Sequence, residues 1–269
     1  MNVNTDIIKR NNVRIVGSGT KVLLFAHGFG CDQNIWNDTV AALKGDYRIV
    51  LFDYVGAGNS DKESFSKARY SELQGYAQDV LDIIQALDLQ EVTLIGHSVS
   101  GAVSYLVSLE ASERVKQIIA ISPSSCYVND ESSNYYGGFD ESDIQELFAM
   151  MEHNFYEWAG FLAPRAMDQP ERPDLGEVLA SSFRASDPVI LRSFARATFL
   201  CDVRALLPSV HTPVHLIYGS ADMVVPDSAI EYQINHLPNC TATKMDFRGH
   251  YPHVSAPHEI AVEIEKHLR

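Results

Sequence analysis

The sequence predicts an α/β fold: a mostly parallel sheet with helices on both faces, interrupted once by a helical insertion. Three observations predict it. Short β-branched runs alternate with longer helical patterns along most of the chain, which is the pattern of successive βαβ units. From about Ser124 to Arg204 the alternation stops; no strand is evident, and helical stretches are separated by Pro164, Pro170, Pro173 and Pro188. Finally, Gly96-His97-Ser98-Val99-Ser100 sets a serine between an apolar run and a helix-like segment. One large domain carrying an insertion accounts for 269 residues that are 46% hydrophobic.

The strands are expected at Lys21 to Ala26, Tyr47 to Asp53, Val92 to Ile95, Val115 to Ile121, Val214 to Tyr218 and Ala242 to Phe247. Tyr70 to Leu87 is an amphipathic helix, with Leu73, Tyr76, Ala77, Val80, Ile83, Ile84 and Leu87 at helical spacing. The chain divides into a core, 1–123 and 205–269, and a helical cap, 124–204. The cap is rich in aromatic residues, and a cap above the carboxyl ends of the strands turns some of them toward an apolar pocket.

Composition excludes several functions. The formal charge of −14, from 21 basic and 35 acidic residues, argues against nucleic acid and against an anionic membrane surface. Cys31, Cys126, Cys201 and Cys240 show no metal-ligand spacing and are expected to be reduced and buried. The first residues lack the blocks of a signal peptide, and no apolar run approaches the ~18 residues of a membrane helix. A cytoplasmic protein is expected. Asp53-Tyr54-Val55-Gly56-Ala57-Gly58 lacks the third glycine and the distal acid of a dinucleotide fingerprint, so it is a structural turn and no cofactor is called for.

A serine on a sharp strand-to-helix turn is held clear of its neighbours, and small residues two places to either side let strand and helix approach. Ser98 occupies that position, with Ser100 where glycine is usual. Such a nucleophile needs a base, a carboxylate that orients the base, and donors for an oxyanion. Asp222 follows the run Val214-His215-Leu216-Ile217-Tyr218, and His250 follows the last strand, so acid and base lie on the same rim as the serine. Asp227, after Pro226, reads as a helix N-cap; His253 stands one loop step further from the strand than His250; His97 adjoins Ser98 too closely to take its proton. After the first strand of the parallel set, His27-Gly28-Phe29-Gly30 is a loop whose Phe29 N–H can converge with that of Val99 on an oxyanion.

With these residues the chain resembles the α/β-hydrolase superfamily, whose order of nucleophile, acid and base it shares. Within that superfamily it resembles the branch of the bacterial stress-response regulator RsbQ and the plant karrikin and strigolactone receptor-hydrolases. The markers are the motifs above, Ser122-Pro123 with Cys126-Tyr127-Val128-Asn129-Asp130, Tyr136-Gly137-Gly138-Phe139, Asp202-Val203-Arg204, and Gly249-His250 with Pro252-His253. Residues 122–127 and 167–173 are closer to RsbQ, and Ser100 to the plant pattern. The resemblance implies an α/β-hydrolase fold with a four-helix cap over a hydrophobic pocket lined by Phe29, Tyr127, Phe139, Trp158, Leu162, Phe183, Phe199 and Met223. It implies a Ser98, Asp222 and His250 triad that slowly hydrolyses a small hydrophobic ester or butenolide-type lactone. It also implies coupling to signalling through a partner regulator with a PAS sensor domain, for which the acidic stretch Asp140, Glu141 and Asp143 is the expected cap surface. A carboxylesterase without a partner, and a ligand-binding receptor with an idle triad, are the alternatives that the residues leave open.

Overall fold

The computed structural model describes residues 3–268. Seven strands form one sheet: β1 (Arg14–Val16), β2 (Lys21–Ala26), β3 (Tyr47–Leu51), β4 (Val92–His97), β5 (Val115–Ile121), β6 (Val214–Ala221) and β7 (Cys240–Arg248), in the order β1-β3-β2-β4-β5-β6-β7. All neighbours are parallel except β1, which runs antiparallel to β3. The six expected strands are present. β1 is additional: three exposed residues give no run long enough to show alternation.

Side-chain alternation along β2 explains the layering. Val22, Leu24 and Ala26 join the core on one face with α3 (Leu73–Ala86), α4 (Val99–Glu110) and α9 (Asp227–His236), whereas Leu23 and Phe25 pack on the other with Trp36 and α11 (Pro257–Lys266). Both faces are covered at the centre of the sheet, so β2 and β4 are buried along nearly their whole length, whereas the edge strand β7 is largely exposed. Three short helices complete the core: α1 (Val3–Arg10), α2 (Asn37–Ala42) and α10 (Pro252–Ser255). α3 starts after Tyr70, which is nonetheless buried, its hydroxyl donating to Asp79 at 2.9 Å.

Between β5 and β6 lie α5 (Glu141–His153), α6 (Phe155–Met167), α7 (Pro173–Ala185) and α8 (Pro188–Phe199). Their starts are written locally. Asp140 and Asp143 form a capping box for α5, Asn154 caps α6, Pro173 opens α7, and Asp187 accepts from Val189 and Ile190 N–H to cap α8. Pro164 is not a separator as expected; it sits inside α6, one turn before the helix ends at Asp168 in a left-handed conformation. The two limbs entering and leaving this insertion meet: Val203 N–H donates to Ser125 O at 2.9 Å beside the Cys126–Asp202 bridge. Among the described residues no helix is long and apolar enough to cross a membrane. Cys31 and Cys126 are buried and Cys201 and Cys240 half-buried, all four free.

Candidate active site

β4 ends at His97, and the chain turns into α4 through Ser98, whose φ of 55° and ψ of −123° are costly for a residue with a Cβ. Packing holds it there. A side chain on Gly96 would come within 2.5 Å of Ser100 O, so the strand and the first turn of α4 are in contact. Ser100 does more than fit. Its hydroxyl donates to His27 O at 2.6 Å and accepts from Tyr54 OH at 2.8 Å, which ties the elbow to the loop after β2. In the sequence this serine registers only as a small residue.

Val99 is the first residue of α4, so its N–H is one of the helix's unpaired donors, at the positive end of the helix dipole. Phe29 N–H lies in the loop that follows β2. Among the described residues neither N–H enters a backbone hydrogen bond of the loops and turns.

Asp222 follows β6 directly, and His250 follows β7 after Gly249. His250 Nε2 lies 2.7 Å from Ser98 Oγ, and His250 Nδ1 2.7 Å from Asp222 Oδ2. The other carboxylate oxygen of Asp222 accepts the N–H groups of Val224 and Val225 at 2.8 and 3.1 Å. This fixes the directions: Nδ1–H donates to the carboxylate, Nε2 accepts from the serine, and Tyr127 OH, 3.2 Å from Ser98 Oγ, therefore donates to it. Burial raises the Tyr127 pKa well above its ordinary value, so the phenol keeps its proton. The backbone of His250 is also held, since its N–H donates to Ala166 O at the end of α6 at 2.7 Å.

The rival residues sit elsewhere. His253 is fully buried, its ring tilted against Trp36 with centroids 4.3 Å apart, and burial, helped by His250, pushes its pKa down to about 3. Asp227 is not an N-cap as expected; it is the first residue of α9, exposed, and paired with Lys244. Asp53 accepts from Gln33 N–H, Asn59 N–H and Asn12 Nδ2, the bracing of a structural turn.

Above Ser98 and His250 is a cavity of about 50 Å³. Phe29, Tyr127, Phe139, Leu162, Phe183, Phe199 and Met223 line it. Trp158 does not. Its ring stacks on Phe155 and Phe183 and meets Phe29 edge-on, one layer behind the wall, so an aromatic residue expected at the pocket is packing for the residues that form it. Leu147, Ala166, Thr198, Val224 and Tyr251 also line the cavity; the first four are small or aliphatic residues at single positions that carry no distinguishing pattern, and the signal for Tyr251 is its place directly after His250.

Among the described residues, His215, Glu263 and His267 bring ligand-type atoms within 4.8 Å of one another. Both nitrogens of His215 already bond to Thr241 and Thr243, and Glu263 to Thr243 and Lys266, so this is a closed polar network.

A seven-stranded sheet with an elbow serine, an acid and a histidine on its carboxyl rim defines a class, and the chain belongs to it: residues 23–263 match the alpha/beta hydrolase family. It is a hydrolytic enzyme. Among curated relatives it is 36% identical to a probable esterase of Oryza sativa subsp. japonica, over 96% of each chain, and 34% identical to a strigolactone esterase of Arabidopsis thaliana, over 98% of each. A hydrolase from Oleispira antarctica superposes with a TM-score of 0.95 at 38% identity, covering 98% of this chain and 97% of that one.

Proposed function

We propose that the protein is a serine hydrolase of small hydrophobic esters or butenolide-type lactones, with 124–204 as its cap. The observation that carries the proposal is the unbroken relay from Asp222 through His250 to Ser98, two contacts of 2.7 Å on the floor of an apolar cavity. Ser98 Oγ attacks the carbonyl carbon while its proton passes to His250 Nε2, and the imidazolium is stabilised by Asp222. The Phe29 and Val99 N–H groups receive the carbonyl oxygen as it becomes anionic. The carbon–oxygen bond to the leaving group then breaks, and His250 returns its proton to the departing oxygen. Water, deprotonated by the same nitrogen, repeats the sequence on the acyl-serine and frees the acid.

A cavity of about 50 Å³ is far below the ~300 Å³ of a drug-sized pocket, so the closed form accepts a small acyl or lactone ring, and anything larger requires the cap helices to part. The strigolactone esterase activity in a relative's name supports the lactone reading. A panel of short aryl acetates and butenolide enol ethers, assayed with wild type and Ser98→Ala, tests it. Turnover of both classes by wild type alone is the expected result; turnover of neither would overturn it.

The signalling half of the proposal is a partner regulator, a PAS-domain protein in the RsbQ-like version, that docks on the cap. The bond from His250 N–H to Ala166 O supports coupling, because movement of α6 by a ligand reaches the base directly. Asp140 and Asp143 are poor reporters of such a surface, since both cap α5 and their reversal would unwind its first turn. Glu141→Lys with Glu146→Lys, on the same helix and outside the capping box, is the cleaner variant. Retained ester hydrolysis with lost capture of a co-encoded regulator is expected; equal capture would remove the cap surface.

A further inference from the structure

His97 has no part in the relay, yet it touches each piece of the machinery. It is wholly buried beside Ser98. Its Nε2 lies 2.7 Å from the carbonyl oxygen of His250, and since a carbonyl only accepts, Nε2 carries the proton and donates. Nδ1 is then a bare lone pair. It faces the loop after β2, where a Cβ built on Gly28 would come within 2.4 Å of it, and where no side-chain or backbone donor meets it among the described residues. The ring lies 4.9 Å from that of His250 and 4.3 Å from that of His253, centroid to centroid.

From this geometry we infer that His97 is a positioning residue for the hydrolytic reaction: one imidazole spaces the nucleophile, the oxyanion loop and the base relative to one another. The inference rests on the relay reading given above. Ser98 follows His97 in the chain, so its backbone is fixed by the same buried side chain. The Gly28 main chain rests against the ring edge, which sets how far Phe29 N–H stands from Val99 N–H. The donated bond holds the His250 backbone at its carbonyl, while Ala166 O holds it at its N–H. Errors of about 1 Å in such a constellation cost on the order of a hundredfold in rate. Burial, reinforced by His253 and His250, keeps the ring neutral and its single donor directed. The same contact explains why glycine is needed at position 28: a side chain there would displace the ring.

Two variants separate positioning from bulk. His97→Phe keeps a planar ring but deletes the donor; His97→Gln keeps an N–H near the Nε2 position. Both, with wild type and Ser98→Ala, are assayed for kcat and KM on a p-nitrophenyl acetate series, for inhibition by an aryl boronic acid that mimics the tetrahedral intermediate, and for Tm. His97→Phe is expected to lose 30-fold or more in kcat with KM within threefold and to bind the boronate at least tenfold more weakly. His97→Gln is expected to recover at least a third of the lost log-units at a similar Tm. Folded His97→Phe with wild-type kcat would overturn the inference, as would a Gln variant with the kcat of Phe despite a restored Tm. Should His97→Phe not fold, the Gln variant decides alone: kcat and boronate affinity within tenfold of wild type support the donor role, and any larger loss at wild-type Tm refutes it. If Ser98→Ala were to retain turnover, the relay reading itself would fail, a result distinct from either outcome for His97.

Discussion

Asp222→Asn tests the relay through hydrogen-bond direction. The new side chain has one acceptor and one donor end, and two arrangements compete. With its oxygen toward Val224 and Val225 N–H, both backbone bonds are kept, and the NH2 faces His250 Nδ1. With the amide reversed, the NH2 would confront two buried N–H donors and both bonds would be lost, at ~1–3 kcal/mol for each unsatisfied group. The first arrangement therefore wins. It makes Nδ1 an acceptor and moves the proton to Nε2, where it can no longer receive the proton of Ser98. A drop of about 10³–10⁴ in kcat is expected by analogy with wrong-tautomer variants, equivalent to ~4–5.5 kcal/mol of barrier, with little change in KM and with stability lowered by less than ~1 kcal/mol. Steady-state hydrolysis of p-nitrophenyl acetate with a Tm measurement reads all three. A kcat within tenfold of wild type, or a larger loss in Asp227→Asn than in Asp222→Asn, would remove Asp222 from the relay.

Gly249→Ala is expected to lower both activity and Tm, because Gly249 has φ of 86° and a Cβ there would lie 2.0 Å from Met167 O; a loss of at least ~2 kcal/mol in chemical denaturation checks it. Trp158→Ala should cost ~3–5 kcal/mol of stability, whereas Phe139→Ala, half-buried at the cavity, should cost less and shift preference toward bulkier acyl groups, as denaturation and a substrate panel will show. Acid should destabilise the fold before carboxylates titrate. His253 stays neutral in the folded protein down to about pH 3 but takes a proton near 6.5 when unfolded, so stability is unaffected above about pH 7 and falls as pH drops from 6.5 toward 3. The slope from one such histidine approaches ~1.4 kcal/mol per pH unit, and its reduction in His253→Phe, read by denaturation at pH 7, 6 and 5, is the check.

Elements with a period or a motif were legible in the sequence. The central strands β2 and β4 announce themselves as buried apolar runs, and Ser98, Asp222 and His250 each sit just past the end of a strand, so chain order was enough to place them on one rim. What escaped were relations between distant residues that have no local signature. Nothing near Gly28 in the sequence reports that its main chain rests on His97, and nothing near Ala166 reports that its carbonyl holds His250. Trp158 shows the converse limit. An aromatic residue on a cap helix faces the cavity or the layer behind it depending on helix rotation, and composition cannot tell one from the other. Asp140 and Asp143 read as a charged patch because their capping roles depend on where α5 begins.

If Ser98 is the nucleophile of this relay, turnover passes through an acyl-enzyme on its hydroxyl. Wild type and Ser98→Ala are mixed with excess p-nitrophenyl acetate, quenched in acid within one turnover, and read by intact-protein and peptide mass spectrometry. One acetyl group per chain on the peptide carrying Ser98, absent from Ser98→Ala together with turnover, is the predicted result. Acetylation at another residue with full turnover by Ser98→Ala would contradict it.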